Sequence, residues 1–253
     1  MDQNLKEHLI SAADRYETTD FISCDPVRYP HRYTGRQDIE ISAFISAWMA
    51  YGSRKVFLRI LEQLHKEMDA TGGPYSYITS GGYSLTCSGP DRCLYRFYRL
   101  SDFRQLCGRL TELYSDYQSL EDIFHAEADL AENVRSLCSF FKGINGIPVP
   151  GSPSANKRLY MFLRWMVRRN SPVDFGIWSR ISPRSLLVPL DTHVYTTAVR
   201  LGITTRKNAD LKTAVEITSA MSGIWPDDPA RGDFALYGMG IDSDRPQTLP
   251  DCE

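Results

Sequence analysis

The sequence contains no run of about 20 apolar residues, the length that a membrane-spanning helix needs. Its first residues, MDQNLKEHLI, are charged, and no apolar core of the kind found in secretory signals follows them. We therefore expect a cytoplasmic protein that does not bind a membrane.

The cysteines are not spaced as a metal site. None of the six forms a C-x-x-C pair, and no histidine stands near the closest two, Cys87 and Cys93. Zinc and iron–sulfur sites need closely spaced thiolate or imidazole ligands. We therefore expect neither a metal nor another cofactor.

The formal net charge is only −2, but the charges are unevenly distributed along the chain. Residues 111–132 carry seven acidic residues and no lysine or arginine, whereas residues 142–190 carry eight basic residues and a single acid, Asp174. A basic surface on a nearly neutral protein suits contact with a phosphate backbone. The alternative is that the basic stretch pairs with the acidic segment when the chain folds.

Helical periodicity dominates the chain, alternating strand patterns are few, and there are no repeats, so the pattern predicts an all-α fold. The segment 38–50 is apolar nearly all round and is predicted to be a central buried helix. The basic and aromatic residues of Arg92–Phe97 fit the amphipathicity of a longer helix. The predicted helices cover residues 5–16, 38–50, 54–68, 91–114, 120–142, 155–169, 192–201, 209–221 and 228–239.

Asp191 stands at the first position of a predicted helix, after the apolar entry Val188-Pro189-Leu190. Taken alone, it is a helix cap. The free N–H groups and the dipole of a helix N-terminus also stabilise a carboxylate. Such a carboxylate can stabilise the positive charge that develops on a sugar during glycosidic cleavage.

Lys157 stands in the first turn of another predicted helix, after the loop 143–154, which is rich in glycine and proline. Exposed N–H groups make such a helix start suitable for binding phosphate. A lysine that has lost its proton is a nucleophile able to form a Schiff base. The alternatives are a lysine that contacts phosphate and one that is merely solvated.

The segment PLDTHVYTTAVRLG around Asp191 resembles the catalytic aspartate segment of the helix–hairpin–helix DNA glycosylases. Loop 143–154 and helix 155–169 then resemble their hairpin, with Lys157 matching the lysine nucleophile, although Pro150–Lys157 lacks the usual L-P-G-V-G-x-K pattern. The 34 residues between Lys157 and Asp191 are similar to the spacing in the archaeal 8-oxoguanine glycosylases. The segments KRLYMFLRWMVR, VPLDTHV and DFALYGMG also resemble an uncharacterised bacterial family that is a distant branch of this group.

The resemblance implies roles for further residues. Asp233 and Tyr237, one helical turn apart, would line the pocket for the extruded base, together with Pro189. Tyr51 falls where the superfamily carries a residue that fills the gap left by that base. The expected contacts to the DNA backbone are Gly151, Ser152, Ser154 and Arg158.

The resemblance also implies an architecture and a function. We expect a two-lobed helical bundle, with residues 37–142 as the central lobe and residues 1–36 plus 143–253 as the second lobe. The expected activity is base-excision repair: a DNA N-glycosylase and lyase that removes an oxidised purine such as 8-oxoguanine. The expected partner is double-stranded DNA with a damaged base, bound by a monomer associated with the nucleoid. The alternatives are a non-catalytic DNA-binding protein on the same scaffold and an unrelated helical interaction protein.

Overall fold

The computed structural model describes residues 1–244, with side chains described up to residue 241, so Cys252 lies outside this range. The described part is predominantly helical, with a single two-stranded sheet, which confirms the all-α class. None of its helices is both long and apolar enough to cross a membrane. The helices are α1 (Gln3–Tyr16), α2 (Thr19–Cys24), α3 (Arg36–Met49), α4 (Arg54–Ala70), α5 (Pro74–Thr79), α6 (Tyr83–Thr86), α7 (Leu100–Asp116), α8 (Leu130–Phe140), α9 (Lys157–Val167), α10 (Thr192–Arg200), α11 (Leu211–Ser222) and α12 (Gly232–Asp244).

The chain forms two compact units. Unit 1 comprises residues 1–25 and the described residues from 153 onward, and unit 2 comprises residues 26–152. The sequence places these boundaries at 36/37 and 142/143 instead. Residues 26–32 join unit 2 because their two 3-10 turns pack on α3. Asn145 joins it because its carbonyl accepts a hydrogen bond from Trp48 Nε1 at 2.8 Å.

Unit 1 has its own hydrophobic core. Helices α1 and α10 both pack against α12. Buried apolar side chains from four helices meet there: Leu9, Val194, Ala198, Ile217 and Leu236. The segment Val188–Leu190 is buried in the same core, so the chain enters α10 from inside unit 1.

Unit 2 is built around α3. Every residue from Ile39 to Met49 is buried, as the apolar pattern predicts. Helices α4 and α5 pack on α3, and α7 packs on α5. The buried Glu40 carboxylate on α3 accepts hydrogen bonds from the Tyr114 hydroxyl (2.8 Å) and the Leu120 N–H (2.9 Å), so this charge is compensated inside the unit.

Two of the predicted helices are wrong over part of their length. The predicted helix 91–114 begins only at Leu100, because strands β1 (Cys93–Tyr95) and β2 (Tyr98–Arg99) form an antiparallel hairpin before it. The predicted helix 120–142 is interrupted between residues 124 and 129. There the buried Asn133 side chain bonds both the N–H (2.9 Å) and the carbonyl (3.0 Å) of His125, which replaces helical hydrogen bonds. Asp129 then caps α8 by accepting the Glu132 N–H at 2.7 Å.

Helix α9 is shorter than predicted and more deeply buried. It begins at Lys157 because Asn156, the residue before it, has a left-handed backbone (φ 48°). A right-handed helix cannot include that conformation. The predicted apolar stripe is buried, and so are all the remaining residues between Leu159 and Val167, including Arg164. The predicted basic surface is therefore wrong for Arg164 and for the buried Arg168, which follows the helix.

Candidate active site

Asp191 is held in place by the segment before it and the helix after it. The Val188 N–H donates to the buried Thr218 hydroxyl at 2.9 Å, which fixes the entry segment inside unit 1. Asp191 has an extended backbone, and its Oδ1 accepts the Val194 N–H at 2.9 Å, so the side chain caps α10. The predicted cap is confirmed, and the cap bond uses Oδ1 rather than Oδ2.

Lys157 lies at the first position of α9. Its Nζ lies 3.9 Å from Asp191 Oδ2 and 3.4 Å from the thioether of Met161, one turn along the same helix. Thioether sulfur is only a weak hydrogen-bond acceptor. The side chains of Lys157 and Asp191, which we call the candidate pair, are 31 % and 33 % exposed. The amine and the carboxylate are therefore close together and accessible from outside unit 1.

Asp233, on the first turn of α12, lies near the candidate pair. Its Oδ2 accepts from the Arg164 guanidinium, and its side chain is 16 % exposed. Burial raises the pKa of Asp233 from 3.8 to about 6, against the opposing effect of Arg164. The charge of Asp191 raises this pKa further and that of Lys157 lowers it, so the three groups interact electrostatically.

Asp233 is linked through Arg164 to a set of charged side chains that we call the buried ion network: Glu17, Arg164, Arg168, Asp174 and Asp228. Arg168 donates to Asp228 through two nitrogens, each at 2.8 Å, to Glu17 at 2.7 Å, and also to Asp174. Arg164 donates to Asp174 at 3.3 Å and to Asp233. Each buried guanidinium therefore bonds several acids, which compensates the cost of removing it from water. All of these acids belong to unit 1, and none of them comes from segment 111–132.

Tyr237 and Pro189, the other residues of unit 1 expected to line the base pocket, lie in different segments. Tyr237 is half-buried, and its ring meets the rings of Tyr16 and Phe21 edge to face, with centroid distances of 6.0 and 5.5 Å. It lies on α12 one turn after Asp233, as the spacing predicts. Pro189 is buried in the entry segment, where it stiffens the approach to Asp191.

The other expected residues are divided between the units. Tyr51 belongs to unit 2 and is 43 % exposed. Gly151 and Ser152 end unit 2, whereas Ser154 and Arg158 belong to unit 1. Ser154 forms an isolated antiparallel bridge with Asp210, so the chain just before α9 is tied to the start of α11.

Within residues 1–244, no group of three or more histidine, cysteine, aspartate or glutamate side chains could hold a metal ion. The groups brought together at the site are an amine, two carboxylates and a guanidinium. Their chemistry is nucleophilic attack, stabilisation of positive charge and proton exchange.

Met161 and Arg164 also belong to this site, and the sequence carries a signal for both. Positions 157, 161 and 164 lie four and three residues apart, which places them on one face of α9. That face carries the amine, the thioether beside it and the guanidinium that bonds Asp233.

Comparison with curated proteins and with solved structures finds no match. The model of one protein family, described as a protein of unknown function (DUF2400), matches residues 25–242. This match spans most of the chain and includes Lys157, Asp191 and Asp233. The chain therefore belongs to the DUF2400 family.

Proposed function

We propose that this protein is a DNA base-excision glycosylase with lyase activity, of the helix–hairpin–helix type. The observation that supports this most is the candidate pair, in which Lys157 Nζ lies 3.9 Å from Asp191 Oδ2 at the starts of two helices. An amine and a carboxylate at this separation can act on the same sugar carbon from adjacent positions. The sequence resemblance around both residues assigns them the roles of nucleophile and charge stabiliser.

In the proposed reaction, Lys157 Nζ, once deprotonated, attacks the anomeric carbon C1′ of the damaged nucleotide. The bond from C1′ to the base breaks, its electron pair leaves with the base, and the base takes up a proton. The Asp191 carboxylate stabilises the positive charge that develops on the sugar. The C1′–O4′ bond then breaks, its electron pair stays with O4′, which takes up a proton, and the nitrogen lone pair completes a protonated imine between C1′ and Nζ. Loss of a proton from C2′ expels the 3′-phosphate by β-elimination, and water hydrolyses the imine to free Lys157.

The proposed substrate is an oxidised purine such as 8-oxoguanine, extruded from duplex DNA. A carboxyl group can accept hydrogen bonds from purine N–H groups, and an aromatic ring can contact the base face. Asp233 and Tyr237 on α12 offer these two groups one turn apart. With a pKa of about 6, Asp233 can also donate a hydrogen bond when it is protonated.

The test is borohydride trapping of the covalent imine on labelled duplexes that carry a panel of oxidised purines. We expect wild-type protein to form a trapped complex and Lys157→Gln to form none. Lys212→Gln is the matched control, because Lys212 is an exposed lysine on α11 of the same unit. This control is expected to trap like the wild type.

Asp191→Asn separates the charge of Asp191 from its structural role. Asparagine caps a helix about as well as aspartate, so α10 should remain intact. We expect base release to slow by about 10²- to 10³-fold, the usual cost of losing one electrostatic stabiliser.

Absence of trapping on every lesion in the panel would refute the lyase step. Salt-dependent binding of duplex DNA without turnover, unchanged in Asp191→Asn, would instead support a non-catalytic DNA-binding protein. Absence of DNA binding would leave the helical interaction protein as the remaining alternative.

A further inference from the structure

Unit 2 carries two neighbouring aromatic side chains that are not buried in its core. Tyr51 follows α3 and is 43 % exposed, and Phe97 at the tip of the β1–β2 hairpin is 45 % exposed. Their ring centroids are 5.1 Å apart. Exposed apolar side chains that lie side by side point to a binding site, whereas single ones do not.

Arg96 adds a planar cation to this pair. Its guanidinium lies over the Tyr51 ring, 5.1 Å from the centroid. The left-handed backbone of Arg96 (φ 52°) places it at the hairpin tip. A Cβ at position 52 would clash with the Arg96 guanidinium and lie 2.9 Å from the Tyr95 hydroxyl, so Gly52 permits this close approach. Arg96 is an exposed residue, and the space left by Gly52 lets its guanidinium lie over the Tyr51 ring.

The backbone on both sides of the cluster is anchored. The Tyr95 hydroxyl donates to the Tyr51 carbonyl at 2.6 Å, and Asn145 Nδ2 donates to the Phe97 carbonyl at 3.0 Å. The Asn145 carbonyl in turn accepts from Trp48 Nε1. The backbone that carries both rings is therefore anchored, and a ligand would not have to order it on binding.

The chain beside the rings is positively charged. Residues 51–61 contain Arg54, Lys55 and Arg59, all exposed, and no acid. Arg54 and Lys55 lie in the first turn of α4, whose positive dipole end adds to their charge, and Arg59 follows in the second turn. An apolar peptide would account for the rings but not for these cations. Aromatic bases on a phosphate backbone account for both.

We propose that Tyr51, Arg96 and Phe97 form a stacking platform for the unstacked bases of a single nucleic-acid strand, with Lys55 and Arg59 contacting its phosphates. All of these residues belong to unit 2, so the stacking platform is independent of the candidate pair in unit 1. Neither the sequence resemblance nor the family match assigns a role to Arg96 or Phe97. The DNA and RNA forms of the strand share this chemistry and are distinguished by the test.

The test measures binding of the full chain to fluorescently labelled 12-nucleotide strands by anisotropy, without turnover. The strands are oligothymidylate, oligouridylate and a strand of tetrahydrofuran phosphates, which carries no bases and no C1′ hydroxyl, so that no imine can form on it. We expect Phe97→Ala and Tyr51→Ala each to weaken oligothymidylate binding by about 5- to 150-fold, since one stacked base is worth about 1–3 kcal/mol. Tyr117→Ala is the matched control, because Tyr117 is another exposed aromatic residue of unit 2 (38 % exposed), and it should bind like the wild type.

Two further variants separate stacking from folding. Phe97→Tyr keeps an aromatic ring and should keep the affinity, whereas Phe97→Leu keeps only apolar bulk and should lose it. Wild-type binding by Phe97→Leu, or equal affinity for the abasic strand and oligothymidylate, would overturn the stacking platform. Equal affinity for oligouridylate and oligothymidylate would assign it to strands of either sugar, and a preference for one would assign it to that sugar. Because none of these strands carries a damaged base or a reactive C1′, neither an active nor an inactive candidate pair would affect any of these results.

Discussion

Replacement of Asp233 by asparagine tests whether burial or ion pairing controls this carboxyl group. Burial raises its pKa from 3.8 to about 6, even though Arg164 bonds its Oδ2. The asparagine side chain would keep the size of the aspartate but would not ionise. Any pH dependence of stability that comes from Asp233 should therefore be absent from the variant.

The sign follows from proton uptake. Well below pH 4 the Asp233 carboxyl is protonated in both folded and unfolded chains. As the pH rises toward about 6, the unfolded chain releases this proton and the folded chain keeps it, so unfolding becomes easier. Since one pKa unit corresponds to about 1.4 kcal/mol, wild-type unit 1 should lose roughly 3 kcal/mol of stability from this group by about pH 7. The free energy of unfolding of Asp233→Asn, minus that of the wild type, should rise by up to this amount.

Urea unfolding followed by tryptophan fluorescence measures this difference, since Trp165 and Trp178 are fully buried in unit 1. The matched control is Asp210→Asn in the same unit. A hydrogen bond from the Thr213 N–H lowers the pKa of Asp210, so its contribution changes only below about pH 4 and is flat across the window. A difference for Asp233→Asn that stays flat or falls as the pH rises would mean that pairing with Arg164 outweighs burial. That result would refute the reasoning.

Two further predictions test packing and burial. Gly238→Ala in unit 1 should lower the free energy of unfolding by about 1–3 kcal/mol, because the new Cβ would lie 2.6 Å from a ring carbon of Tyr16. Gly108→Ala, in the roomier interior of α7, should raise the free energy of unfolding by about 0.5–1 kcal/mol. Equal effects of the two alanines in urea unfolding would contradict this. Arg168→Met should cost about 3–5 kcal/mol because it leaves several buried acids without their shared guanidinium. Arg184→Met, at an exposed ion pair, should cost at most about 1 kcal/mol, and a similar loss in both variants would show that burial of the network is unimportant.

The helices that the sequence predicts correctly are those whose own residues carry a clear apolar pattern. Residues 39–49 of helix α3 are apolar on nearly every face, so their burial follows from the sequence. The β1–β2 hairpin was missed because its turn uses Arg96 with a positive φ, where a glycine or asparagine would have signalled a turn. The break before α8 was missed because it depends on Asn133, whose amide bonds the backbone of His125 only in the folded unit.

The candidate pair was accessible to sequence reasoning because each member lies at a helix start with a recognisable local pattern. The contact between them was expected only from the resemblance, since nothing local relates positions 157 and 191. The sequence predicts that Arg164 lies on a basic surface, because a sequence shows the charge of a residue but not the acids that it meets in the fold. Asp174 and Asp233 lie 10 and 69 residues further along the chain, and only the fold brings them to the guanidinium.

The burial of α9 explains why the candidate pair and the buried ion network occur together. A helix that is buried on all sides can carry arginine only if acids from neighbouring segments reach it, and Arg164 has two such acids. One of them, Asp233, also interacts with Lys157 and Asp191, so the group that neutralises the interior of α9 also acts on its exposed start. A change in the charge of Asp233 therefore affects both the stability of unit 1 and the electrostatic field at the candidate pair. The pH dependence that Asp233 causes in the wild type, and that Asp233→Asn removes, should thus appear in unfolding and in any chemistry at Lys157 over the same range of pH.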